Sequence, residues 1–260
     1  MLFAVGSWRG APGVTTTALA LAESWPGPQS PVVLECDPRG GSVACRFLVP
    51  GARTVEALAS AARHGGDARL LAEHTCTTSA GAVVVTAPED GERLRPLIAA
   101  LAKPGGLLST VAADSEAVVF ADCGRLDPRD VEIRAVLARA ESLILVIRPV
   151  VEHALGLKAV LGQIRELHRD VGLVLVGSGY SSAEVTGLLG LPVWGTLPLL
   201  PTGTASRVVD RLRRDRAQAV FREAAAGIGD ALIDARIERR LTSSATTNNG
   251  RVSKEVGATA

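Results

Sequence analysis

Aromatic residues are scarce in this chain of 260 residues, at 3%, so its core must be built from Val, Leu, Ile and Ala. Charge of one sign is also missing. The formal net charge is +1, which excludes a global field drawing the chain to nucleic acid or a membrane, and any such contact must come from a local patch. No apolar run reaches about 18 residues, the length a membrane span needs. The opening "MLFAVGSWRG" lacks the long apolar stretch of a secretory signal, so the cytoplasm is the expected location. Cysteines are few: Cys36, Cys45, Cys76 and Cys123 form no CxxC pair, and the four histidines show no ligand spacing. Cys36 and Cys123 lie in strand-like runs and read as buried, reduced thiols rather than a disulfide or metal framework.

What is present is apolar and alternating. Hydrophobic residues make up 47% and charged residues 21%, enough for one large α/β domain or two small ones. Short β-branched runs occur at 2–7, 32–37, 82–88, 117–123, 142–149, 172–178 and 193–198. Most are apolar on both faces, as expected for strands covered by helices on both sides. Between them lie helical patterns, including "TVEALASAAR", "GERLRPLIAALA" and "HALGLKAVLGQIRELHRD" over 153–170. This alternation predicts an α/β fold with a doubly wound, mostly parallel sheet and helices on both faces.

The first strand runs into "GSWRGAPGVTTTALALA", a loop of glycines and small residues that opens into a helix. Such a loop can hold an anion, because backbone amides converge on it and the helix presents its positive dipole end. Gly10 and Gly13 let the backbone approach closely, and the Thr15 hydroxyl stands where a magnesium ligand is wanted, with Thr16 beside it. Measured against GxxxxGK[ST], the loop departs twice: Trp8 holds the first glycine position and Val14 the lysine position. Pro12 also removes one amide from the cradle.

Four stretches together resemble the ParA/MinD-type P-loop ATPases. "WRGAPGVTTTALALA" is similar to that family's deviant Walker loop, GKGGVGKTT, whose early signature lysine aligns with Arg9. "VVLECDPRGGS" resembles its second strand, "AVVFADCG" its switch II strand, and "LPVWGTLPLLP" its late segment near the adenine. The resemblance covers about residues 1–205. It implies ATP and Mg²⁺ as cofactors, with Gly10, Ala11, Gly13, Val14, Thr15, Thr16 and Pro198 around the nucleotide. It makes Thr15, Asp122 and Glu35 the metal-side groups, and Asp37 and Arg9 the catalytic ones. Without the loop ammonium, one preorganised charge donor is missing, at about 3–4 kcal/mol or 10²–10³ in rate, so hydrolysis is expected to be weak or absent. Two readings stay open: a dimerising ATP-dependent switch for positioning or assembling DNA or a membrane-associated machine, and a pseudo-ATPase scaffold that binds a partner without turnover.

Beyond Pro201 the composition changes. "SRVVDRLRRDR" holds five arginines and two aspartates. It reads either as a solvated helix face or, through Arg207, Arg211, Arg213 and Arg214, as a non-specific DNA contact. Residues 206–241 are expected as a helical extension packed on the 1–205 domain, its stripe of Ile228, Leu232, Ile233, Ile237 and Leu241 broken by acids and unsuited to a membrane surface. Residues 242–260 are polar, small and aperiodic, and are expected as a disordered tail. The partners implied are a second copy of the chain and a protein of a secretion, pilus or partition system.

Overall fold

All six residues of β1 (Leu2–Ser7) are buried, as its two-sided apolar pattern requires. The structure, a computed structural model, describes residues 1–9, 13–47, 49, 53–79, 81–199 and 216–255, with the side chains of 216–219, 240 and 242–255 excepted. The other strands are β2 (Val32–Glu35), β3 (Cys76–Thr77), β4 (Val83–Val85), β5 (Val119–Arg125), β6 (Ser142–Ile147), β7 (Val171–Val176) and β8 (Val193–Leu197). They form one sheet in the order β3-β4-β2-β5-β1-β6-β7-β8. Every neighbouring pair is parallel except β3 and β4. The order reverses at β1, between β5 and β6. In such sheets ligands bind beyond the carboxyl ends of the strands at that reversal.

The helices are α1 (Val14–Glu23), α2 (Val43–Phe47), α3 (Val55–Ala61), α4 (Ala68–Glu73), α5 (Gly91–Ala102), α6 (Leu107–Ala113), α7 (Val131–Leu137), α8 (Val151–Lys158), α9 (Leu161–Leu167), α10 (Ser182–Leu189) and α11 (Arg216–Glu255). They divide between two faces. Leu58, Ile98, Val111, Ile133, Leu157, Ile164 and Val185 bring α3, α5, α6, α7, α8, α9 and α10 onto one face. On the other, α1 packs with Val43 and Phe47 of α2 and with Phe221, Ala225, Ile228 and Leu232 of α11. The few aromatics cluster there, with Phe3 stacked 5.5 Å from Phe120 and Trp25 closing against both. The expected doubly wound α/β fold is therefore present.

Differences from the sequence reading have local causes. The run at 32–37 leaves the sheet after Glu35, because Asp37 Oδ1 accepts the Arg39 amide at 3.0 Å and turns the chain. The run at 82–88 stops at Val85, and its Ala87 amide goes to a Glu35 oxygen instead of a ladder partner. The helix expected over 153–170 is two, α8 and α9, parted at Ala159 and Val160. Gly156 and Gly162 flank the break, and each weakens a helix by about 1 kcal/mol relative to Ala.

Residues 201–215, which include Arg207, Arg211, Arg213 and Arg214, lie outside the described residues. α11 packs on the domain. Its Ile228 sits where a side chain at Gly195 would stand, and Arg236 and Arg239 bond Glu141 and Asp170. It continues to Glu255, past the helix end expected at 241. Adding a residue to an existing helix needs no new nucleus, so the helix runs on through Thr, Ser and Asn residues of low propensity. Among the described residues, no single helix is long and apolar enough to cross a membrane.

Candidate functional site

Strand pleating decides which side chains meet at the reversal point. Side chains alternate between faces. Leu34 and Cys36 of the β2 segment, and Ala121 and Cys123 of β5, join the α3–α10 face. Val33, Phe120 and Val5 join the α1 face. By the same alternation Glu35, Asp122 and Ser7 face α1 at the carboxyl ends of β2, β5 and β1. β2 and β5 pair with Glu35 opposite Asp122.

Asp122 is the centre. It is 3% exposed, accepts the Gly124 amide at 3.1 Å and has the Thr15 side chain beside it. Burial pushes its pKa up to about 6; Thr15 and the Gly124 amide oppose the rise, and the neighbouring charges of Glu35 and Asp37 add to it. Asp37 lies just beyond β2. Burial raises its pKa too, although Arg39 holds its carboxylate through both the backbone amide and the guanidinium. Gly124 is what lets Asp37 come so close. Its φ is +57°, and a β-carbon there would overlap Asp37 Oδ2. A Gly124→Ala substitution is expected to cost about 2 kcal/mol, from left-handed strain plus displacement of Asp37, and a urea titration measures it.

Glu35 has a different setting from the metal-side role expected of it. One oxygen accepts the amides of Ser42 and Val43, at 2.7 and 2.9 Å, and the other accepts Ala87 N at 2.9 Å. Both oxygens are engaged, so the carboxylate ties the start of α2 and the exit of β4 to β2. Burial raises its pKa against those three amides.

The loop residues divide in the same way. Gly13 takes φ +85° and caps α1 without any side-chain hydrogen bond. Gly10, Ala11 and Pro12 lie outside the described residues. Val14 is 4% exposed and belongs to the core with Val43 and Phe47, so its side chain serves packing. Thr16 Oγ1 accepts Arg46 Nη2 of α2 at 3.4 Å, a contact the sequence reading missed. Arg9 is exposed, and its guanidinium lies against α8, where a β-carbon on Gly156 would fall 2.5 Å from Nε. With Trp8, Arg125, Arg129 and His153 it lines a groove of about 910 Å³ beside the loop. Pro198 is exposed just after β8, three strands from β1, or about 14 Å by strand spacing. Among the described residues no group of three or more His, Cys, Asp or Glu is placed to hold a metal ion.

No protein-family model and no curated protein matches the sequence. Solved structures do. A ParA family ATPase from Chlorobium tepidum superposes with a TM-score of 0.65 at 15% identity, covering 86% of this chain and 96% of that one. The MinD cell division protein of Aquifex aeolicus gives 0.62 at 11%, covering 90% and 96%. An ATP complex of a McdA variant from Cyanothece gives 0.62 at 12%, covering 89% and 95%. Identities this low speak to fold alone, and together with the eight-stranded, mostly parallel sheet they show it: the chain has the ParA/MinD-type P-loop NTPase fold.

Proposed function

We propose that this chain is a ParA/MinD-type nucleotide-binding switch that takes Mg²⁺–ATP at the mouth of α1 and dimerises there to position or assemble a larger cargo, with little or no hydrolysis. The observation that carries this reading is the placing of the Thr15 side chain beside the buried Asp122, at a helix start that has no capping side chain. A threonine hydroxyl and a carboxylate are hard oxygen donors. Mg²⁺ is typically held by one or two such groups, with phosphates and waters completing its shell, so the residues fit the ion. When bound, it would neutralise the phosphates. Asp122 and Thr15 would hold it, and the amides after Gly13 would orient the anion.

Weak turnover follows from Val14, whose side chain is packed in the core and brings no charge to a departing phosphate. The fold neighbours support the class of role, since their names include ParA, MinD and McdA. The edge beside the loop supports dimerisation. Arg9 projects there, and Val131, Val151 and Leu155 stay exposed at 68%, 45% and 53%. The scaffold reading rests on Val14, whose buried side chain brings no charge to the loop. Arg207, Arg211, Arg213 and Arg214 remain the proposed contact for DNA.

Calorimetric titration with ATP, with and without Mg²⁺, tests the proposal alongside sedimentation. Saturable uptake that needs Mg²⁺, a dimer fraction that rises with ATP and phosphate release at background are the expected results. No uptake at millimolar Mg²⁺–ATP would leave only the scaffold.

A further inference from the structure

The loop lacks an ammonium, yet a cation stands at the same helix start. Arg46 on α2 reaches across to α1, and its Nη2 lies 3.4 Å from Oγ1 of Thr16, two residues past Val14. Its guanidinium carbon is 5.6 Å from the centroid of the Phe47 ring. Among the described residues no carboxylate forms an ion pair with it. Glu35 is the acid whose charge it influences, and both Glu35 oxygens already accept amides. A half-buried guanidinium held by one long hydrogen bond has donors to spare, and their natural complement is a multidentate anion.

Two further features at this spot call for the same ligand. The first turn of α1 has neither a capping side chain nor an acidic residue, so among the described residues its leading amides have no anionic partner. Ser7, at the end of β1 on the α1 face, is 1% exposed, and among the described residues its hydroxyl has no hydrogen-bond partner. Buried hydroxyls are rarely left so. Arg46 is also preorganised. Val43 and Phe47 anchor α2 in the core, and Glu35 ties the helix start to β2.

We infer that Arg46 is the phosphate-binding cation of this site, delivered from α2 to the anion that Val14 cannot reach. The inference rests on the nucleotide reading above for the identity of the ligand, a polyphosphate carried by a nucleoside. Arginine at this place differs from a loop lysine in kind. Its planar fork grips two oxygens at once, and its position depends on α2 staying docked, so phosphate binding and α2 placement become one event.

The experiment is calorimetry on the full chain with Mg²⁺–ATP, inorganic tripolyphosphate and adenosine as separate probes, comparing wild type, Arg46→Ala and Arg46→Lys. Circular dichroism melts confirm that each variant folds. Arg46→Ala is expected to weaken ATP and tripolyphosphate by about 10–100-fold, the range for a charge-assisted hydrogen bond, and to leave adenosine unchanged. Arg46→Lys, which keeps the charge but loses the planar fork, is expected to fall between wild type and Arg46→Ala. Equal ATP affinity in wild type and Arg46→Ala would overturn the role of Arg46 while leaving the nucleotide site standing. Arg46-dependent binding of tripolyphosphate without ATP binding would overturn the nucleotide reading and keep Arg46. Binding of neither anion by wild type would overturn both.

Discussion

Replacing Glu35 with alanine is expected to lower folding stability by about 4 kcal/mol. The side chain is 3% exposed and is the shared acceptor for the amides of Ser42, Val43 and Ala87. A buried donor left without its partner costs about 1–3 kcal/mol, and three lose theirs together. Relief from burying a carboxylate, whose pKa is raised by that burial, offsets part of the sum. Glu35→Gln should cost roughly half as much. Its amide oxygen keeps one set of bonds, while its NH₂ faces another donor across the second. Urea unfolding followed by tryptophan fluorescence measures both. A loss under about 1 kcal/mol in Glu35→Ala would mean that water reaches these amides. The alanine variant should also weaken anion binding, because α2 carries Arg46 and loses its tie to β2.

The same residue shows where sequence reasoning runs out. An acid inside "VVLECD" signals a buried carboxylate in want of a partner, and the resemblance assigns it to a metal. Its actual partners are backbone amides, two at the start of α2 and one at Ala87, 52 residues along the chain, and an amide has no sequence signature. The strands were legible because they are buried on both faces and carry the β-branched runs that such burial selects. β3 was not, since two residues cannot display a period. Asp37, Asp122 and Thr15 were legible as a group because Asp37 follows β2, Asp122 lies in β5 beside the end of β2 and Thr15 opens α1, all at one edge of the sheet. Arg46 was not, because its meeting with Thr16 depends on the path of a five-residue helix across 30 residues of separation. Val14 was read as a missing charge, which is right chemically, but its place in the same buried cluster as Val43 and Phe47 emerges only from the tertiary fold.

Asp122→Asn is expected to stabilise the chain at pH 7.5 by about 2 kcal/mol and to gain nothing at pH 4. The carboxyl has an ordinary value of 3.8 and a folded value of about 6, so between those values the native state holds a proton that the unfolded chain has released. Stability therefore falls as pH rises through that window. About two units at 1.36 kcal/mol each make the full penalty about 3 kcal/mol above pH 7. Asparagine cannot ionise and escapes it, but its oxygen is a weaker acceptor for the Gly124 amide, which returns about 1 kcal/mol. Glu35 and Asp37 repel the same charge, so the difference between wild-type and variant urea midpoints across pH 4–8 isolates the contribution of Asp122. Parallel profiles would show that the carboxyl ionises in the fold without penalty. A bound Mg²⁺ reverses the sign by stabilising the ionised carboxylate, so with saturating Mg²⁺–ATP the wild type should recover stability and the variant should not. A residue that weakens the empty fold and strengthens the occupied one couples ligand to folding, which is what a nucleotide switch requires of its central acid.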